Sequence, residues 1–278
     1  MAEVTLTAGM RSNLLQLQST AKLIDRTQER LSTGKKVNSA LDNPTNYFAS
    51  QAALNRSSDL AIRKDGMSEG IQTAKAADAG ITAITALIAA AKGIASAALG
   101  TTNTVDRATY GTQYNTLMSQ IDTLASDSGY RGTNLLTNDT LTVTFNEDGT
   151  SKLTVQGFTA TSIGLGMTSG AATDGWSADG SVTGSTAAIN TDIGLLATAT
   201  NTLRTQSKNL AGNLNIITTR QDFTNSMIST LQTGSDNLTL ADMNEEGANM
   251  LMLQTRQSLG TTALSLSSQA AQAVLRLF

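Results

Sequence analysis

Cysteine and histidine are both absent from the 278-residue chain, proline occurs once (Pro44), and aromatic residues make up only 4%. Each absence removes a class of function. Without Cys there are no disulfides, thiol nucleophiles or thiolate metal sites; without His there are no imidazole bases and few routes to zinc or iron. Carboxylates, Lys, Ser and Tyr are left for chemistry, so the expectation is no enzyme, no cofactor and no metal. A net charge of -3 and the lack of any basic run argue against nucleic acid as a partner. No apolar run reads as long enough to span a bilayer, which predicts no membrane insertion. Met1–Leu17 contains Arg11 and no apolar core, so it does not read as a secretory signal. Few aromatics disfavour a large globular core and favour long bundles one side chain deep.

What the chain does have is heptads. Ile189, Ile193, Leu196, Thr200, Leu203, Ser207, Leu210, Leu214, Ile217, Gln221, Thr224, Ile228 and Leu231 alternate steps of four and three with no proline between them. That pattern draws one apolar stripe down a helix of roughly 65 Å, which needs partners along its length. Gly234 is expected to close it. Ala74, Ala77, Ile81, Ile84, Ile88, Ala91, Ala95 and Ala98 form a second such stripe in a helix over about 46–99, despite Gly66, Gly70, Gly80 and Gly93. Tyr110, Tyr114, Leu117, Ile121 and Leu124 give a third helix over about 106–127.

The two ends carry shorter stripes. Met10, Leu14, Leu17, Ala21, Ile24 and Leu31 lie on a helix over 4–33, with Gly34 as its cap and a connector to Thr45. Met252, Leu259, Ala263, Leu266, Ala270, Ala273 and Leu277 lie on a last helix starting near Thr239, and the chain closes on apolar Phe278. An apolar end needs cover, and the stripe of residues 10–31 is the match for it. Between helices, Leu141, Val143 and Phe145, the Asn146–Gly149 turn, and Leu153 and Val155 read as a β-hairpin. Residues 159–186 are rich in Gly, Ser and Thr and read as surface turns. The fold class expected is mainly α: a long antiparallel helical bundle, terminal coiled-coil helices and a small β-hairpin insertion at the distal tip. The expected division is a terminal core of 1–40 and 240–278, a helical rod of 41–137 and 186–239, and a surface insertion of 138–185.

The segment Arg30-Leu31-Ser-Thr-Gly34-Lys-Lys-Val-Asn38-Ser-Ala40-Leu-Asp42-Asn resembles the N-terminal signature of the bacterial flagellins. Leu240-Ala-Asp-Met-Asn-Glu-Glu-Gly-Ala-Asn-Met-Leu251, Leu259-Gly and Ala273-Val-Leu-Arg-Leu277 resemble the C-terminal one. The wording Asn43-Pro-Thr-Asn-Tyr-Phe48 is similar to alphaproteobacterial members. The resemblance implies a structural subunit, exported unfolded by the flagellar type III apparatus and polymerised outside the cell into a filament for swimming. It implies as partners other copies of itself, flagellar cap and hook-junction proteins, and an export chaperone. It puts Met10, Leu14, Leu17, Ile24, Leu31, Met252, Leu259, Leu266, Leu277 and Phe278 in contacts between subunits. The alternatives are a hook–filament junction protein, which shares the end signatures, and a type III secreted adhesin or effector.

Two further expectations come with the family. Enterobacterial relatives carry an Arg, a Glu and a Leu that a vertebrate flagellin receptor grips; here those positions fall on Ala89 (or Ala91), Lys92 and Gly93, and evasion of that receptor is expected. Thr159, Ser162, Thr168, Ser177 and Ser181 are offered as acceptors for O-linked sugars, against a plain solvated loop.

Three other motifs have plainer readings. Gly66-Met-Ser-Glu-Gly70 has the spacing of a nucleophile elbow, but lies mid-helix in a chain without His. Gly164-Leu-Gly166-Met-Thr-Ser-Gly170 is one residue off a dinucleotide fingerprint and follows no βα unit. Asp42, Asp242, Glu245 and Glu246 read as helix-start carboxylates rather than a cation site.

Overall fold

The computed structural model describes residues 8–167, 175–176 and 182–275. In order these form α1 (Ala8–Thr33), α2 (Pro44–Gly100), α3 (Thr104–Asp127), β1 (Thr140–Thr144), β2 (Lys152–Gln156), α4 (Val182–Thr239) and α5 (Met243–Leu275). The chain divides into two compact units, one of 1–56 with 230–278 and the other of 57–229. Both boundaries fall inside long helices, after residue 56 in α2 and after residue 229 in α4. The expected surface insertion is part of the second unit.

Local chemistry sets the ends of the helices. Gly34 takes φ +69°, the left-handed turn that terminates α1. Pro44 occupies the first position of α2, where its missing N–H costs nothing, and the Asn43 side chain accepts from the Asn46 N–H at 3.0 Å. Asn103 caps α3 by accepting from the Val105 N–H. Many seam threonines donate their hydroxyls to the carbonyl four residues back, as Thr20 does to Gln16 and Thr224 to Arg220, so each presents mainly its methyl group to the neighbouring helix.

In the second unit α2, α3 and α4 run up, down and down. Asp78 meets Ser207, Ser68 meets Gln221, and Arg107 meets Ser185. Every position of the expected stripe from Ile189 to Leu231 is buried or half-buried, as is every position of the Ala74–Ala98 stripe. By length and hydropathy α2 also passes as apolar enough to cross a bilayer, which corrects the expectation that no such segment exists. A third of that apolar window is buried, and Ile81, Ile84, Ile88, Ala91, Ala95 and Ala98 of this helix are core residues of the bundle.

Two boundaries differ from expectation. Gly234 does not end α4, because Ser235 is buried against Ser50 with hydroxyls 2.8 Å apart and the helix continues to Thr239. The start of α5 is capped by Asp242, which accepts from Asn244 and Glu245, and not by Thr239.

The hairpin forms in the expected register, Leu141 opposite Val155 and Val143 opposite Leu153. Its expected place at the distal tip is corrected. Val143 and Phe145 pack with Met67 and Ile217, far along α2 and α4 from the Thr101–Asn103 turn. The reason is the length of α3: it stops at Asp127, where Ser128 lies against Gly80 of α2. Beyond that level α2 and α4 still present Met67, Ile71 and Ile217, and the hairpin covers them in place of a third helix.

Candidate functional site

The two ends of the chain meet in the first unit through a backbone joint. After the left-handed Gly34, the connector runs antiparallel to residues 239–241, with a bridge between Lys35 and Leu240. The N–H groups of Lys36 and Val37 donate to the Thr239 carbonyl at 2.7 and 3.3 Å, and Ala241 N–H donates to the Gly34 carbonyl at 2.9 Å. Arg30 closes the joint with a 2.7 Å ion pair to buried Glu246. The two signature segments, separated by about two hundred residues of sequence, therefore form one structure.

Asp42 fixes the connector's turn. Its carboxylate accepts from the N–H groups of Asn38 and Ser39 at 3.0 and 2.9 Å and from the Ser39 hydroxyl at 3.2 Å. Asn38 adds a side-chain bond to the Lys35 carbonyl at 3.4 Å. The backbone donors, Ser39 first and then Asn38, hold the Asp42 pKa below its ordinary 3.8. A carboxylate with a depressed folded pKa stabilises the turn above its unfolded pKa, and that contribution is lost as pH falls through the lower folded value. The Asn38 and Ser39 amide proton shifts are accordingly expected to titrate with a midpoint below 3.8. In Asp42→Asn the same shifts should stay flat; a midpoint at or above the ordinary value would contradict the arrangement.

The second feature is the antiparallel pair of α1 and α5. Met10, Leu17, Ile24 and Leu31 lie on the face of α1 that is buried or half-buried, interleaved with Asn13, Thr20 and Thr27. The matching face of α5 is Glu246, Met250, Leu253, Gly260 and Leu264. A Cβ on Gly260 would stand 2.6 Å from Leu17 Cδ2, so glycine is what lets the helices close. The expected pairing of the α1 stripe with the stripe of residues 252–277 is therefore corrected. Helix α5 carries two overlapping apolar sets, and the one that includes Gly260 faces α1. Met252, Leu259 and Leu266 point away, 45%, 66% and 62% exposed, and Leu14 is 40% exposed. Leu277 and Phe278 lie outside the described residues.

The remaining expected positions scatter. Ala89, Lys92 and Gly93 are exposed on one side of α2, whereas Ala91 is fully buried. Thr159 is exposed. Ser162 is corrected as a sugar acceptor: it is fully buried, its N–H and hydroxyl both donating to Asp122 at 2.6 and 3.1 Å. Thr168, Ser177 and Ser181 lie outside the described residues. The elbow-like Ser68 sits within α2, donating to Lys64 O and accepting from Gln221. Asp42, Asp242 and Glu246 are engaged by backbone N–H groups or by Arg30.

Sequence reasoning missed a buried polar cluster in the second unit. Arg107 is 2% exposed, donating to the Thr101 carbonyl at 2.8 Å and to Ser185 and Thr186. Trp176 is fully buried beside Tyr114, ring centroids 5.1 Å apart, and its indole N–H donates to buried Asp192 at 2.7 Å. Burial, and secondarily the Asp192 charge, push the Tyr114 phenol well above its usual pKa. Arg107 sits one heptad before Tyr114, on the same face; that spacing was the signal available.

Residues 6–140 match the family model described as the bacterial flagellin N-terminal helical region. Flagellin FljM of Caulobacter vibrioides is 31% identical over 274 residues, covering 98% of this chain and 96% of that protein. Flagellin FljK of the same organism is 30% identical over the same shares. A flagellin of Brucella melitensis is 26% identical, covering 100% of this chain and 99% of its own.

Proposed function

The chain belongs to the bacterial flagellin family and is a structural subunit of the extracellular flagellar filament; we propose that the outward faces of its terminal helices are where copies meet. The observation that carries this is the second apolar set of α5. Met252, Leu259 and Leu266, with Leu251 at 70% exposed, are left uncovered by α1. Leu14, Leu15 and Leu23 do the same on α1. A helix pair with apolar residues on its outside as well as in its seam is suited to a multi-helix layer built from several chains. Met10, Leu17, Ile24 and Leu31 then serve the pairing within a subunit, while Leu14 and the outer α5 set serve contacts between subunits.

The same reading assigns no catalytic role to the chain. The family resemblance supports the cap, the hook-junction proteins and an export chaperone as partners. With Ala89, Lys92 and Gly93 exposed where the receptor-binding relatives carry Arg, Glu and Leu, the purified monomer is proposed to evade the vertebrate receptor. Thr159 is the one exposed described residue among the proposed sugar acceptors.

Seeded polymerisation of the purified chain tests the assembly face. Leu259→Ala is expected to melt as the parent does, because the side chain is 66% exposed. Its critical concentration for filament growth should rise about tenfold, the equivalent of burying one leucine less fully. Normal growth of this variant would remove the outer α5 face from the interface.

A further inference from the structure

The connector between α1 and α2 carries a leucine that the other described residues leave uncovered. Leu41 is 96% exposed. It does not lie on loose chain. The Asp42 carboxylate binds Asn38 and Ser39 on one side, the Leu41 N–H donates to Ser39 Oγ at 3.3 Å, and Asn43 caps α2 immediately after. A turn fixed in this way loses little conformational entropy when its apex is buried.

The second unit holds a hollow that a leucine would fit. Ala74 and Leu210 make its floor, at 1% and 8% exposed, with Leu214 beside them. Its volume is about 160 Å³, and it exists because alanines stand at both 74 and 211. Lys75 and Asp78 are on the rim, and the Asp78 carboxylate accepts from the Ser207 hydroxyl at 3.0 Å.

We propose that Leu41 of one copy seats in the Ala74–Leu210–Ala211–Leu214 hollow of a second copy. Three considerations select this occupant. The knob and the hollow are different patches of one chain, so their contact is heterologous, the type that generates an open helical polymer and not a closed dimer. An opposite charge is available on each side: Asp42 flanks the knob and Lys75 stands on the rim of the hollow, next to Asp78, which accepts from Ser207. Both partners are preformed. The inference rests on the chain polymerising, as a filament subunit does, and adds a defined contact to the terminal-helix faces.

The lack of native cysteine makes a clean test available. Leu41→Cys and Ala211→Cys chains are each mixed as a minority into wild-type monomer, separately and together, and grown from seeds. The filaments are then treated with a short bis-maleimide and run on a denaturing gel. A covalent dimer is expected only where both variants share a filament, and not in the unpolymerised mixture. Filaments that contain both and yield no dimer overturn the contact. Wild-type monomer that fails to extend seeds is a different result and counts against the polymerisation reading itself. Leu41→Ala gives an independent measure: melting unchanged and critical concentration raised ~10-fold; an unchanged critical concentration overturns the proposal.

Discussion

Trp176→Ala is expected to destabilise the second unit by about 3–5 kcal/mol, the range for emptying a buried indole site. The ring is fully buried, lies 5.1 Å from the Tyr114 ring and donates to Asp192 at 2.7 Å. Truncation loses the packing and also removes one donor from a carboxylate that is itself 2% exposed. For a unit of this size each kcal/mol lowers the melting midpoint by roughly 2–4 °C, so a fall of about 10 °C should appear in far-ultraviolet circular dichroism. Trp176→Phe separates the two contributions, since it keeps an aromatic ring against Tyr114 and loses only the N–H; its cost should be about half as large. If Trp176→Ala melted with the parent, the indole would not be part of the core.

That site was invisible in the sequence for a physical reason. A lone Trp in a stretch of Gly, Ser and Thr reads as a surface turn, because nothing local says that a long helix lies ready to receive it. The same holds for Asp192 and Arg107, charged residues that the helical pattern alone does not mark as buried. The long stripes were legible because steps of three and four at Ile81, Ile84 and Ile88, or of seven at Leu203, Leu210 and Ile217, have no reading other than a helix with one buried side. The joint was legible only as two motifs. Their meeting depends on backbone bonds such as Lys36 N–H to Thr239 O, which side-chain pattern does not encode. On α5 the pattern was ambiguous in principle, since Met250, Leu253 and Leu264 overlap Met252, Leu259 and Leu266. A glycine decided between them. Gly234 misled in the opposite direction: glycine ends a helix where the chain turns left-handed, as at Gly34, and buried Ser235 and Thr239 keep α4 going past it.

Glycine to alanine at 157 should be strongly damaging for a single added methyl, at about 3 kcal/mol. The added Cβ would lie 2.3 Å from the Asp139 carbonyl oxygen and 2.6 Å from that of Leu135. Both are backbone atoms, and both already accept hydrogen bonds from this strand end: Gly157 N–H to Asp139 at 2.9 Å and Phe158 N–H to Leu135 at 2.8 Å. No rotamer can relieve the clash. The 157–160 segment has to lift off residues 135–139, exposing Leu136 and Ala160, both fully buried. Gly80→Ala provides the calibration, because its Cβ meets mainly side-chain atoms, Ser128 Oγ at 2.3 Å and Leu136 Cδ1 at 2.6 Å. Those can rotate, and the cost should be smaller. At Gly66 and Gly93, also in α2, nothing lies within 4 Å, and alanine there should stabilise by up to about 1 kcal/mol through helix propensity alone. Chemical denaturation of the four variants should therefore rank them Gly157, Gly80, parent, then Gly66 and Gly93. A Gly157→Ala chain as stable as the parent would mean that the turn between the hairpin and α3 is not stitched as described.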